Sequence, residues 1–393
     1  MLSKLLQSYL RFWAVWYLKR AKPQIIAVTG SVGKTSTKEA IFSVLKIKFG
    51  NQIRKSEGNL NNETGVPLAI LGFQKSPEIF WHWLPIIVLA KIKAIFAPKV
   101  KVLVLELAAD KPGDIGYLTS FVKPNVAVIT SIGPAHLEAF GTIEEIVKEK
   151  SSLLLALSED GTAILNIDDI KLKEIVEKHP GQIKTYAIFQ NADCFAKNIT
   201  TEILNFRPLT KFQVVENSHK FPVEVPSLGR VWNVYAALVA ISCGIIFKLN
   251  PQEIREGLKT LPTSSHRLQV FEGKKASTII DDSYNANPVS MTAALDILKL
   301  LPAQRKIAVL GDMREIGNIT DESHKIIGQY AREVADEVIA LGQLAKKYQA
   351  HQYFDKKSQA IDYLLSKIGN GDIILVKASR ALELEKIVEA IKK

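Results

Sequence analysis

Ile25-Ile26-Ala27-Val28-Thr29-Gly30-Ser31-Val32-Gly33-Lys34-Thr35-Ser36 decides how this chain folds. Ile25 to Thr29 read as a strand buried on both faces, a glycine-bearing turn follows, and a helix opens at Lys34. Gly30 and Gly33 can take backbone angles closed to other residues. Successive N–H groups and the helix N-terminus then surround phosphate oxygens, with Gly30, Ser31, Val32, Gly33, Lys34, Thr35 and Ser36 forming the cradle. Lys34 supplies a point charge to the β- and γ-phosphates, and Thr35 a hydroxyl to a divalent cation. The general phosphate-loop pattern has a glycine five places before Gly33; this chain has Val28 there, so the loop is a shortened form.

Outward from this loop, short β-branched runs alternate with helical segments, the pattern of parallel α/β structure. Ile25–Thr29, Val102–Leu107, Val126–Thr130 and Thr162–Asn166 are expected as buried strands. Residues 184–225 read as antiparallel hairpins or a sheet extension, and an apolar helix follows around Val234–Ile246. Leu261–Arg267, with Pro262 and a Thr-Ser-Ser run, reads as a hinge. A second, doubly wound α/β pattern comes next, with strands at Ser277–Asp281, Lys306–Leu310, Glu337–Leu341 and Asp372–Lys377.

The 393 residues are enough for two or three domains, and 47% apolar content is ordinary for a globular protein. A net charge of +11 favours anionic partners, but no run pairs dense Lys/Arg with stacking aromatics, so no nucleic acid is expected. Cys194 and Cys243 lie far apart without metal or redox spacing, which fits a reducing, cytoplasmic compartment. Leu2–Leu18 and Ile79–Ala90 are apolar and aromatic, yet shorter than the ~20 residues a membrane span needs. A nucleotide loop beginning at Thr29 also argues against a signal peptide. Aromatics flanked only by positive charge suit helices lying on a membrane surface. The commoner reading of such segments is helices that bury an apolar face against this protein or a partner.

Chemistry-bearing residues fall at strand ends, where doubly wound proteins bind ligands. Glu106 ends one strand, His136 follows another, and Lys150 comes fourteen residues later. Glu106, Thr35 and phosphate oxygens suit Mg²⁺, which prefers oxygen ligands and retains waters. Taken singly, Glu106 is more often a strand-end surface residue, His136 a satisfied loop histidine and Lys150 a solvated helix lysine; their order and spacing behind the phosphate loop change that weighting. Arg267 at the hinge can reach a nucleotide only when domains close, which couples closure to catalysis. In Ile280–Pro288 the carboxylate of Asp282 and the amides could grip a nucleotide or a small zwitterion, while Asn287-Pro288 also fits an ordinary turn.

The shortened Thr-Gly-Ser-x-Gly-Lys-Thr resembles the Mur ligase family. Several phrases are similar to its MurF type: Gly58–Pro67, Lys111–Ile115, Ser265–Leu268, Ile280–Pro288, Leu310–Gly317 and Leu375–Arg380, with Ala378 where the family has glycine. The resemblance runs from about Ile25 to the C-terminus. It implies a phosphate-loop central domain with a parallel sheet, followed by a smaller Rossmann-like domain. The expected divisions are an amphipathic helix over 1–22, a central domain over 23–262 with an apolar insert near 76–98, and a C-terminal domain over 263–393. The implied activity is an ATP- and Mg²⁺-dependent amide-bond ligase working through an acyl phosphate. It would add D-Ala-D-Ala to a muramoyl peptide in peptidoglycan precursor synthesis.

The same resemblance implies residue roles. Lys34, His136 and Lys150 are expected to be catalytic, and Asn233, Arg267 and Asp282 to join the phosphate loop around the nucleotide. Thr35, Glu106, His136 and Lys150 fall on metal positions, Lys150 as the family's carbamylated lysine. Asn61, Asn62, Glu63, Ser283, Tyr284, Asn285, Asn287 and Pro288 fall on substrate positions. A monomeric, cytoplasmic enzyme is expected, with peripheral membrane contact left open. The chain departs from the family in two places. Only about two dozen residues precede the first strand, too few for the family's UDP-holding domain. The helix start Gly229–Ala236 lacks the family's histidine. Three alternatives remain: a Mur-fold ligase with another or lipid-linked acyl substrate, a folylpolyglutamate- or polyglutamate-type ligase, and a non-catalytic membrane-peripheral nucleotide-binding protein. Lys34, Glu106, His136, Lys150 and the Asp282–Pro288 phrase argue against the last two.

Overall fold

The computed structural model describes residues 2–77, 79–134, 137–216, 219–229, 231–262, 265–314 and 316–393. The chain opens with α1 (Leu2–Ala21) and then alternates through β1 (Gln24–Thr29), α2 (Lys34–Phe49), β2 (Ile53–Lys55), α3 (Gly65–Leu71), α4 (Trp83–Phe96) and β3 (Val102–Glu106). It continues with α5 (Asp114–Thr119), β4 (Val126–Ile129), α6 (Leu137–Phe140), α7 (Ile143–Leu155), β5 (Thr162–Asn166), α8 (Ile170–Lys178) and β6 (Gln182–Ala187). Three strands, β7 (Cys194–Leu204), β8 (Arg207–Glu216) and β9 (His219–Val225), precede α9 (Trp232–Ile246) and α10 (Pro251–Lys259). The remainder runs β10 (Gln269–Glu272), β11 (Thr278–Asp282), α11 (Pro288–Leu300), β12 (Arg305–Gly311), α12 (Thr320–Val334), β13 (Glu337–Leu341), β14 (Gln352–Phe354), α13 (Lys357–Lys367), β15 (Asp372–Lys377) and α14 (Glu385–Ile391).

Two sheets result. The first has the order β2-β3-β1-β4-β5-β6-β7-β8-β9, parallel up to β7 and antiparallel beyond it. The second has the order β10-β11-β15-β12-β13-β14, with only β10 antiparallel. Alternation within β1 explains why its run is continuously apolar. Ile26 and Val28 join the core that α2 and α9 cover, whereas Ile25 and Ala27 join the core on the other face. Strands β11 and β12 divide their side chains between two cores in the same way. In the first sheet the chain leaves β1 for β2 and β3 on one side and then crosses to β4 on the other. The carboxyl end of β1 therefore sits at a topological switch point, where a crevice opens.

The buried strands form within a residue or so of their expected limits, and residues 184–225 supply the end of β6 and the antiparallel extension. Strands β2, β10 and β14 were not expected. Each has three or four residues and lies at or next to a sheet edge, so none carries a continuous apolar run. The expected division at 262/263 adjoins Thr263 and Ser264, which lie outside the described residues.

One face of α1 packs inward. Leu10, Ala14 and Tyr17 are fully buried at helical spacing, and the helix lies against α3 and α4. The Tyr17 hydroxyl donates to the Pro98 carbonyl at 2.8 Å, and that of Tyr9 to the Ile87 carbonyl at 3.0 Å. Among the described residues no helix is long and apolar enough to cross a membrane.

Candidate active site

The loop after β1 is shaped by glycine and pinned by β4. Gly30 has φ +145°, and a Cβ there would lie 2.0 Å from the Thr130 hydroxyl oxygen. Gly33 caps α2 in the left-handed region at φ +88°. Ser31 and Val32 donate their N–H groups to the Ser131 carbonyl and hydroxyl at 2.9 and 3.0 Å. Thr130 donates to the Val32 carbonyl at 2.6 Å. The first intrahelical bond of α2 is Thr37 N–H to the Gly33 carbonyl. The N–H groups of Lys34, Thr35 and Ser36 precede it, at the positive end of the helix.

Lys34 donates to the Gly30 carbonyl at 2.6 Å. Burial lowers its pKa, the charge of Glu106 opposes that, and the Arg267 guanidinium adds to the lowering. Glu106 is buried at the end of β3. Its carboxylate accepts from the Thr35 hydroxyl at 3.0 Å and from the Asn61 amide at 3.1 Å. The ammonium of Lys38, fully buried one turn along α2, stands 3.6 Å from it. Asn61 is held in turn, because its carbonyl accepts from Ala108 N–H at 2.8 Å.

These donors fit Mg²⁺ in part. A carboxylate and a hydroxyl are hard oxygens, and they leave most of an octahedron for phosphate and water. No three His, Cys, Asp or Glu side chains converge into a metal site among the described residues. His136, assigned a metal and catalytic role from sequence, lies outside them.

Lys150 is buried on α7 and is not among the side chains that line the cleft. Burial, then the charge of Lys34, carries its pKa down to about 7 against the pull of Glu149 and Asp110. Neighbouring Glu149 accepts from Gly113 N–H at 2.7 Å and Ile115 N–H at 2.6 Å, which fastens α7 to the start of α5. Asp114 accepts from Asp110 and Lys111 N–H at 2.9 and 3.0 Å. The Lys111–Ile115 phrase thus has a structural purpose: it orients α7.

The second sheet closes the cleft with the carboxyl ends of β11, β15 and β12. Asp282 accepts from Lys377 at 2.6 Å and from Leu268 N–H at 3.2 Å, and burial raises its pKa against the pull of Lys377 and Arg267. Lys377 also donates to the Asn285 carbonyl at 2.8 Å. The Arg267 guanidinium lies over the Tyr284 ring, 4.2 Å from its centroid. The Tyr284 hydroxyl donates to Asn59 at 2.9 Å and so joins the two sheets across the cleft. Asn287 caps α11, its side chain accepting from Ser290 N–H at 2.8 Å, with Pro288 at the first helical position, where a missing N–H costs nothing. The Asn287-Pro288 pair is therefore a helix start that also borders the cleft.

The open cleft between the sheets has a volume of about 460 Å³. Ser31 to Ser36, Asn61, Asn62, Glu106, Asn233, Arg267, Asp282, Tyr284, Asn285 and Asn287 line it. A narrower crevice continues from it between Ala40, Asn233, Ala236, Leu261 and Pro262. Asn233 donates its amide to the Leu228 carbonyl, which leaves its side-chain oxygen as the group to present there. Gly30 shapes the loop from below, and Glu63 faces Lys111 at 3.0 Å outside the lining. Ser283, expected at a substrate position, does not line the cleft. It is fully buried, and its hydroxyl donates to Asp281 at 2.6 Å, inside the turn. Sequence reasoning passed over Lys38, Asn59, Trp232, Arg314 and Lys377. Lys377 had a signal, since it stands inside the Leu375–Arg380 phrase; Lys38 had none beyond its place after the loop.

Comparison with known proteins agrees with this architecture. The family model of the Mur ligase middle domain matches residues 28–244, and that of the Mur ligase glutamate ligase domain matches 266–380. The UDP-N-acetylmuramoyl-tripeptide–D-alanyl-D-alanine ligase of Buchnera aphidicola is 35% identical over 96% of this chain and 77% of its own length. That of Bacillus subtilis is 32% identical over 95% and 77%. The MurF ligase of Thermotoga maritima, solved in complex with ADP, superposes with a TM-score of 0.84 at 27% identity, covering 98% of this chain and 83% of that one.

Proposed function

This chain belongs to the Mur ligase family, and from that premise we propose that it is an ATP-dependent C–N ligase joining D-alanyl-D-alanine to a muramoyl peptide in peptidoglycan synthesis. The observation that carries the reading is the convergence of Lys34 and the Thr35–Glu106 pair on one cleft that Arg267 and Tyr284 close from the second sheet, with buried Lys150 within the electrostatic reach of Lys34.

In the first step an oxygen of the peptide carboxylate attacks the γ-phosphorus of ATP. The bond to the β-γ bridging oxygen breaks, giving an acyl phosphate and ADP. The N–H groups of Lys34, Thr35 and Ser36 hold the phosphates, and the Lys34 ammonium meets the charge that gathers on the transferred group. In the second step the dipeptide amine attacks the acyl carbon, loses a proton, and phosphate departs. Arg267 and Tyr284 bring the second sheet over the site and keep water from the acyl phosphate. Mg²⁺, held by Glu106 and Thr35, would neutralise phosphate charge. Lys150, with its pKa brought down to about 7, has an unprotonated fraction near neutral pH that can add CO₂ and release a proton to give the carbamate that the family resemblance implies. The enzyme acts as a monomer in the cytoplasm on this reading.

The test is ADP release with ATP, Mg²⁺ and a UDP-muramoyl tripeptide, with and without D-Ala-D-Ala. Release that requires both the tripeptide and D-Ala-D-Ala is expected. Release that instead follows another acyl acceptor, such as a folate or a polyglutamate, would transfer the chain to a different branch of the fold. No amine-dependent release with any substrate would leave a nucleotide-binding protein only.

A further inference from the structure

The inner faces of α1 and α4 are packed, but their outer faces are not. On α1, Leu5, Phe12 and Trp16 are exposed at helical spacing, opposite buried Leu10, Ala14 and Tyr17. On α4, Leu84, Val88, Ile92 and Phe96 are exposed four residues apart, opposite buried Ala90 and Ala94, and Ile79 and Trp81 are exposed just before the helix. The exposure is large: 60% for Phe12, 57% for Leu84 and 77% for Phe96. The helices lie side by side, fixed by the Tyr9–Ile87 hydrogen bond and by Lys91 over the Trp13 ring at 5.9 Å. A contiguous apolar face of this kind is a contact surface.

Charge and composition identify what it contacts. Residues 2–22 and 79–101 contain nine Lys and Arg and no Asp or Glu, although the chain has 40 carboxylates. Four of its five tryptophans, Trp13, Trp16, Trp81 and Trp83, fall in the same segments. A second copy docked here through a two-fold axis would oppose two positive surfaces, with no carboxylate contributed by either helix. An anionic bilayer suits both features. Headgroups attract the lysines, and tryptophan rings favour the boundary between headgroup and acyl chain. Neither helix can span, so each would lie in the plane of the interface.

We propose that the α1–α4 face docks the protein on an anionic lipid bilayer, with Phe12, Trp16, Trp81, Leu84, Val88 and Phe96 entering the headgroup–acyl boundary.

The experiment mixes the full chain with phosphatidylcholine vesicles, with or without phosphatidylglycerol, and reads co-sedimentation and tryptophan fluorescence. Binding to the anionic vesicles with a blue shift is expected, weakened by roughly tenfold or more at high salt. The triple variant Phe12→Ser, Leu84→Ser, Phe96→Ser should bind at least about tenfold more weakly. Its urea midpoint and its ADP release with soluble substrates should match the parent. Absence of binding to anionic vesicles at low salt overturns the proposal, as does equal binding by the triple variant. A stable dimer that the triple variant dissociates overturns it too, by giving the face to a second copy. A failed ligase assay would leave these readings intact, so the two proposals fail separately.

Discussion

Lys150 owes its chemistry to where α7 puts it. An exposed lysine keeps its proton to about pH 10, whereas burial and the charge of Lys34 bring this one to about 7. Only the unprotonated amine takes up CO₂, so activity should fall as pH drops through 7, and added bicarbonate should move that fall to lower pH. A pH–rate profile at two bicarbonate concentrations checks this. Lys150→Ala should lose on the order of 10²-fold in kcat, with partial recovery when a short carboxylate is added. The same shift acts on stability. Between about pH 7 and 10 the unfolded chain holds the proton and the folded one does not, so stability of the unmodified protein should rise with pH across that window. Urea midpoints in CO₂-free buffer measure it. Lys34 differs in needing its charge: Lys34→Ala should cut ADP release by about 10²- to 10³-fold without changing the circular dichroism spectrum.

At the scale of elements, the site depends on how the neighbours of the phosphate loop are fastened. Glu149 offers two acceptor oxygens to two backbone N–H groups at the start of α5. Glutamine would turn one oxygen into a donor facing an N–H. Glu149→Gln should therefore cost about 1–3 kcal/mol in urea unfolding and lower activity as well, since α7 carries Lys150. The Asn287–Ser290 capping box anchors the start of α11 beside the cleft in a similar way. Both cases explain why phrases that read as possible binding motifs turn out to hold helix ends, which in turn aim the residues that face the ligand.

Across the whole molecule, the cleft exists only because two sheets present their carboxyl ends to each other. Tyr284 spans the gap to Asn59 and supports the Arg267 guanidinium. Tyr284→Phe removes one hydrogen bond and retains the ring, a loss of about 1 kcal/mol in the closed arrangement. It should raise KM for ATP about fivefold and leave the melting temperature nearly unchanged, as steady-state kinetics beside a thermal scan would check.

Local pattern carried the strands β1, β3, β4 and β5, the phosphate loop and the second α/β unit. A buried parallel strand must be apolar along its length, and a phosphate turn needs glycine at fixed places. Glu106 and Arg267 were legible for the same reason, since each stands at a punctuation point of the chain. Strands β2, β10 and β14 were not, because edge pairing is supplied by a neighbour distant in sequence. Nor could sequence say that Ser283 turns inward to Asp281, that Lys377 meets Asp282, or that Lys38 is buried 3.6 Å from Glu106. It also left open whether α1 and α4 face the core or a membrane. Their inner faces pack and their outer faces stay bare, an outcome decided by which atoms the folded sheets bring together and how much water they exclude.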